Sequence, residues 1–155
     1  MTKLSWAEVE EAVEKLADKI KASGFKPDYI IGVTTGGLIP LSLLSKKLNI
    51  EKILTASASS YDKHEQKELT ITYLPKIDLK NQKVLLVDEI ADTGTTLKKI
   101  SEIMVGQYKV AELKTATLGA NKDKYTFWPD FSVVVEQGDW VIFPWEKEDF
   151  PEYFK

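Results

Sequence analysis

The chain has 155 residues, 43% of them hydrophobic, and carries a formal net charge of −3 at pH 7. That is enough for one domain with its own apolar core, and with no cysteine there is no disulfide scaffold, thiolate chemistry or cysteine-bound metal. The charge weighs against a general nucleic-acid surface, and no stretch is apolar for the length a membrane span requires. A polar opening without a signal-peptide core makes the cytoplasm the expected location. All 21 residues counted as lysine plus arginine are lysines. A phosphate handled by this chain therefore meets ammonium groups, backbone N–H groups or metal ions, not guanidinium forks.

Ser5 and Glu8 have the spacing of a capping box. Trp6, Val9, Val13, Leu16, Ala17 and Ile20 then recur at helical spacing, and Gly24 and Pro27 end that helix. Tyr29 to Val33 reads as a buried strand. It stops at Thr34-Thr35-Gly36-Gly37, and a second helix follows through Ile39, Leu41, Leu44 and Leu48. Lys52 to Ser57 is the next strand. The segment Tyr61 to Glu68 is polar and reads as a mobile loop, with His64, the only histidine, exposed on it. Leu69, Ile71 and Tyr73 alternate with threonines, the pattern of a half-exposed strand.

After a connection from Pro75 to Gln82, Val84-Leu85-Leu86-Val87 is the clearest buried strand. Asp88 and Glu89 stand at its carboxyl end. Asp92-Thr93-Gly94-Thr95-Thr96 then opens a helix through Leu97, Ile100, Ile103 and Met104, which Gly106 ends. Lys114 to Leu118 and Ser132 to Val135 are further strands. The tail from Gly138 sets Trp140, Val141, Ile142, Phe143, Pro144 and Trp145 together. Trp6, Trp128 and Trp145 read as core indoles.

The order α-β-α-β-β-β-α-β-β, without linker or repeat, predicts a single α/β domain over residues 1–155. Its sheet is expected to be twisted and mostly parallel, with helices on both faces. Ligands of such sheets sit beyond the strand carboxyl ends, where both glycine turns fall. Asp88 and Glu89 can accept hydrogen bonds from adjacent sugar hydroxyls or hold a hard divalent cation. Backbone N–H groups and the Thr93, Thr95 and Thr96 hydroxyls can wrap a phosphate at a helix N-terminus, with Gly94 allowing the sharp turn. The nucleoside-triphosphate P-loop and the dinucleotide glycine pattern are both absent.

The run Val84-Leu-Leu-Val-Asp-Glu-Ile-Ala-Asp-Thr-Gly-Thr-Thr-Leu97 resembles the phosphoribosyl-diphosphate signature of type I phosphoribosyltransferases. The likeness is closest to the xanthine–guanine and related purine enzymes. Gly32 to Pro40 resembles their pyrophosphate loop. Ser59 to Asp62 with Gln66-Lys67-Glu68 resembles their mobile catalytic loop, and Asp139-Trp140-Val141 with Pro144-Trp145-Glu146 the segment that covers the base.

The resemblance implies transfer of a 5-phosphoribosyl group from phosphoribosyl diphosphate to a purine, with Mg²⁺. It also implies a homo-oligomer, a dimer or tetramer, and a small hood over the base built from about residues 119–155. Asp88 and Glu89 would bind ribose and Mg²⁺, and Asp92 to Thr96 the 5-phosphate. Asp92 would also assist proton transfer at the purine N7. Thr34, Thr35, Gly36, Gly37, Ser60, Tyr61 and Lys67 would meet pyrophosphate, with Lys67 acting in catalysis. Trp140 and Val141 would hold the base. Family members often carry arginine where this chain has Thr35, so a regulatory protein that senses phosphoribosyl diphosphate without catalysis stays open. Asn121, with Lys122 beside it, stands where a lysine contacts the 6-oxo group in many relatives. An asparagine can also accept from a 6-amino group, which keeps adenine open beside guanine, xanthine and hypoxanthine.

Overall fold

The computed structural model describes residues 1–63, 66–136 and 140–155, with the side chains of 61–63, 66, 67 and 136 outside that description. The capping box forms as the sequence predicts. Ser5 Oγ accepts from the Glu8 N–H at 3.2 Å, and Glu8 Oε2 accepts from the Ser5 N–H at 2.7 Å. Helix α1 (Trp6–Ala22) follows, burying Val9, Ala12, Val13, Leu16, Ala17 and Ile20 on one face. Gly24 takes a φ of 78° just beyond the helix, a turn that a residue without Cβ makes freely.

Six strands form one sheet: β2 (Tyr29–Thr34), β3 (Ile53–Lys63), β4 (Gln66–Tyr73), β5 (Lys83–Ala91), β6 (Glu112–Asn121) and β7 (Phe131–Glu136). Their order is β4-β3-β2-β5-β6-β7. Every neighbouring pair is parallel except β3 and β4, which run antiparallel. Helix α2 (Leu38–Lys47) connects β2 to β3, and helix α3 (Thr95–Gly106) connects β5 to β6. The chain therefore winds outward in opposite directions from the central pair β2 and β5. A crevice opens beyond the carboxyl ends of strands at such a switch point, and the two glycine turns flank it.

Period-two alternation divides the core between the two faces of the sheet. Leu85 and Val87 pack with α1, with Leu41 and Leu44 of α2, and with Ile30. Val84 and Leu86 face the other way, against Leu97, Ile100 and Met104 of α3 and against Leu79. All four of these β5 residues are fully buried, each contributing about 1.5–3 kcal/mol of apolar burial. This anchors the strand that carries Asp88 and Glu89.

Three features depart from the sequence reading. Residues 61–68 do not form a loop throughout. Tyr61, Asp62 and Lys63 pair with Glu68, Lys67 and Gln66, so β3 and β4 run on as a hairpin arm, while His64 lies outside the described residues. A ladder is held by backbone hydrogen bonds and needs no apolar side chains, so polarity alone misleads there. Two short strands were also unforeseen. Strand β1 (Thr2–Lys3) pairs in parallel with β8 (Val141–Ile142), and the Thr2 and Leu4 N–H groups donate to the Trp140 and Ile142 carbonyls, each at 2.9 Å. Two residues carry no periodicity to read. Lastly, two indoles read as core are not. Trp128 is 36% exposed and lies edge-on to Tyr125. Trp6 is 57% exposed and leans on Trp145, with ring centroids 5.8 Å apart. Its position at the first turn of α1 leaves nothing above it to bury it. No helix among the described residues is long and apolar enough to cross a membrane.

Candidate active site

The turn after β5 is braced from outside. Gly94 has a φ of 80° and directly precedes α3, whose first turn has no side-chain cap and no acidic residue. A Cβ on Gly94 would overlap the Phe127 carbonyl oxygen. The same neighbouring segment holds the turn by hydrogen bonds. The Thr126 N–H donates to the Thr93 carbonyl at 2.8 Å and the Thr126 hydroxyl at 3.0 Å. Thr93 and Thr95 share a hydroxyl hydrogen bond of 2.9 Å. The Thr95 N–H, the first of α3, donates to the Thr93 hydroxyl at 3.3 Å, and a helix N-terminus on so fixed a turn is an arrangement suited to an anion. Asp88, Ala91, Asp92, Thr93, Gly94, Thr95 and Thr96 line one cleft there.

The two carboxylates at the end of β5 are partly buried and close to each other. Burial pushes Asp88 up to about 8. The Glu89 N–H, donating to Asp88 Oδ1 at 2.7 Å, opposes this, and the Glu89 charge adds to it. Burial also pushes Glu89 up to about 7, against the hydrogen bond it accepts from Trp145 Nε1 at 2.7 Å, with Glu146 and Asp149 raising it further. Negative charge crowds this end of the site. Among the described residues no group of three or more His, Asp and Glu side chains is placed to hold a metal ion. The donor set is nonetheless right for Mg²⁺, a hard cation that uses one or two carboxylates and fills its other positions with water and substrate oxygens.

The second turn, after β2, lies alongside. Gly37 is buried, and a Cβ there would meet the Val33 carbonyl oxygen at 2.5 Å and that of Val87 at 2.8 Å. Gly36 lies against Glu89, whose carboxyl group occupies the space a Cβ would need. The Thr34–Thr35 peptide bond is cis, Thr35 is exposed, and Thr34 Oγ1 shares a hydrogen bond of 2.6 Å with Ser57 Oγ on β3. The residues expected for pyrophosphate thus divide. Gly36 adjoins the Glu89 carboxyl group and Gly37 the Val87 carbonyl, whereas Ser60, Tyr61 and Lys67 belong to the β3–β4 arm. Side chains of Tyr61 and Lys67 lie outside the described residues.

On the opposite flank, Asn121 ends β6 only 2% exposed. Its Nδ2 donates to Asp92 Oδ1 at 3.4 Å, and its Oδ1 accepts from the Asp123 N–H at 3.0 Å. A carboxylate only accepts and an N–H only donates, so these partners set the orientation of the amide. Lys122 beside it is exposed. Trp140 is half-buried, Val141 is buried, and the backbone of both is held through β1. Sequence reading missed Trp145 as a partner of Glu89, and Thr126 and Phe127 as the brace of Gly94. No spacing rule links residues so far apart along the chain.

The sequence matches the phosphoribosyl transferase domain over residues 4–149. The xanthine-guanine phosphoribosyltransferase of Idiomarina loihiensis is 31% identical over 145 residues, which cover 92% of this chain and 85% of that protein. A purine phosphoribosyltransferase structure from Pyrococcus horikoshii Ot3 superposes with a TM-score of 0.81 at 34% identity, covering 93% of this chain and 92% of that one. The xanthine-guanine-hypoxanthine phosphoribosyltransferase of Helicobacter pylori shares the fold at a TM-score of 0.84 and 22% identity, covering 99% of each chain. With the match running almost end to end and the two glycine turns flanking one crevice, the chain belongs to the type I phosphoribosyltransferase family, a family of enzymes.

Proposed function

We propose that this enzyme joins guanine, xanthine or hypoxanthine to 5-phospho-α-D-ribose 1-diphosphate, giving the nucleoside 5'-monophosphate and pyrophosphate. The observation that carries the reading is the braced turn at Gly94, opening α3 beside Asp88 and Glu89 at the sheet's switch point. Asp92 to Thr96 would grip the 5-phosphate with N–H and hydroxyl donors. Asp88 and Glu89 would orient the ribose hydroxyls and hold Mg²⁺, which when bound offsets charge on the diphosphate. Gly36 and Gly37 bring backbone close to that leaving group, and Lys67 is the candidate for a further contact to it.

In the proposed reaction a purine ring nitrogen forms a bond to C1 of the ribose as the bond from C1 to the diphosphate oxygen breaks, with inversion. The proton of the base leaves near Asp92, whose carboxylate is already oriented by Asn121. Most of the rate enhancement would come from positioning and fixed dipoles. Trp140 supplies a flat face for the base, and the Val141 backbone reads its edge. Because Asn121 is engaged with Asp92 and Asp123, Lys122 is the better candidate to donate to a 6-oxo group.

The test is steady turnover with Mg²⁺, donor and each of guanine, xanthine, hypoxanthine and adenine, ranked by kcat/KM. The 6-oxopurines should lead, and Lys122→Ala should shift their ranking. Asp88→Ala should impair donor use more than base recognition. Adenine leading would transfer the reading to an adenine enzyme. Donor binding without product for every base would support a sensor instead.

A further inference from the structure

Trp145, expected from the sequence in the base-covering segment, makes a direct side-chain hydrogen bond to one of the two carboxylates. Its Nε1 donates to Glu89 Oε2 at 2.7 Å. The indole has little freedom to point elsewhere. It stacks on Phe143 with centroids 4.8 Å apart and planes 9° from parallel, and Phe143 is fully buried in the core. Trp6 of α1 leans on it from another side. The short 3-10 turn that carries it, Pro144–Glu146, is itself locked, because Glu146 Oε2 accepts from the Phe143 N–H at 2.8 Å. Glu89 in turn lies against Gly36, where no side chain supports it. Among the described residues, Trp145 is thus the one side-chain donor to the flexible Glu89 carboxyl group, aimed from the C-terminal segment.

We propose that Trp145 is a positioning residue for the donor half of the site: its N–H holds the Glu89 carboxylate over Gly36, in the orientation in which it can accept from the ribose hydroxyls. This rests on the phosphoribosyl-transfer reading above. It adds a physical tie between the C-terminal segment, which carries Trp140 and Val141, and the end of β5. Both halves of the site then share one rigid unit, Phe143 with Trp145, rooted in the core between the sheet and α1.

The experiment compares Trp145→Phe, which keeps a stacking ring and removes the N–H, with the wild type, Glu89→Ala and the double variant. Each is assayed for KM of the Mg²⁺-bound donor and KM of the preferred purine. A second form replaces Trp145 by 3-benzothienylalanine, which keeps the bicyclic shape and lacks only the N–H, so that lost packing does not obscure the result. The donor KM should rise about tenfold in both Trp145 variants, the scale of a hydrogen bond to a charged group. The purine KM should move less than about twofold. In the Glu89→Ala background, Trp145→Phe should add nothing, because the two residues act through one contact. An unchanged donor KM in the benzothienyl form, or equal effects with and without Glu89, would overturn the positioning role. A wild-type protein that turns over no purine would overturn the underlying reading instead.

Discussion

The carboxyl group of Glu89 lies where a side chain on Gly36 would have to go, so the turn after β2 and the end of β5 meet at one point. The obstructing atoms are the far end of a flexible side chain. Gly36→Ala should therefore displace Glu89 without straining the backbone. Its melting temperature is expected to stay within about 2 °C of wild type while donor kcat/KM falls about tenfold or more, the loss of one oriented charged contact. Thermal unfolding beside steady-state kinetics checks both halves, and a large loss of stability would refute it.

Gly37 and Gly94 should behave in the opposite way. At Gly37 a Cβ meets two strand carbonyls, those of Val33 and Val87, neither of which can give. At Gly94 it meets the Phe127 carbonyl, and the φ of 80° adds strain for any residue with a Cβ. Alanine at either position should cost about 2 kcal/mol or more in urea unfolding. Gly106 is the control. Nothing lies within 4 Å of a Cβ there and its φ is not in the left-handed region, so Gly106→Ala should be neutral or stabilise by up to about 1 kcal/mol.

The metal-free protein should lose stability as pH rises. In the folded state Asp88 and Glu89 are raised to about 8 and about 7. Unfolded, they titrate near the ordinary carboxylate values. The folded state therefore binds more protons between those limits. The contribution of these groups is fully present below about pH 4, declines as pH rises, and is gone above about pH 8. Denaturant unfolding in chelator from pH 5 to pH 8.5 should show this decline. Asp88→Asn should flatten it and leave the variant more stable than wild type at pH 8 by roughly 1–3 kcal/mol. A steeper decline in the variant would contradict the assignment.

The pairing of β1 with β8 predicts a role for the first residues of the chain in base binding. The Thr2 N–H holds the Trp140 carbonyl at 2.9 Å, and Thr2→Pro removes that donor. The purine KM should rise about threefold to tenfold, the effect of one neutral hydrogen bond, with the donor KM little changed. A shift in the donor KM alone would show that β1 serves the other half of the site.

Much of the fold, and the turn that follows the central strand, was legible in the sequence. Local patterns suffice where neighbours in sequence act together: the Ser5–Glu8 box, the apolar run at 84–87, and the turn at 92–96 with its left-handed Gly94. These express steric and hydrogen-bonding rules that operate within a few residues. Their order along the chain also implied the parallel sheet, since buried strands separated by helices have few other ways to cover both faces.

Other features depended on the chain folding back on itself. The β3–β4 arm is polar, so only backbone pairing distinguishes it from a loop. Asn121 comes to rest on Asp92, Phe127 on Gly94, and Trp145 on Glu89 because β5, β6 and the C-terminal segment converge at one end of the sheet. Residue type and spacing establish the elements and the chemistry they can offer. Which carboxylate receives which donor is decided by packing, since a hydrogen bond acts over about 3 Å of space and takes no account of separation along the chain.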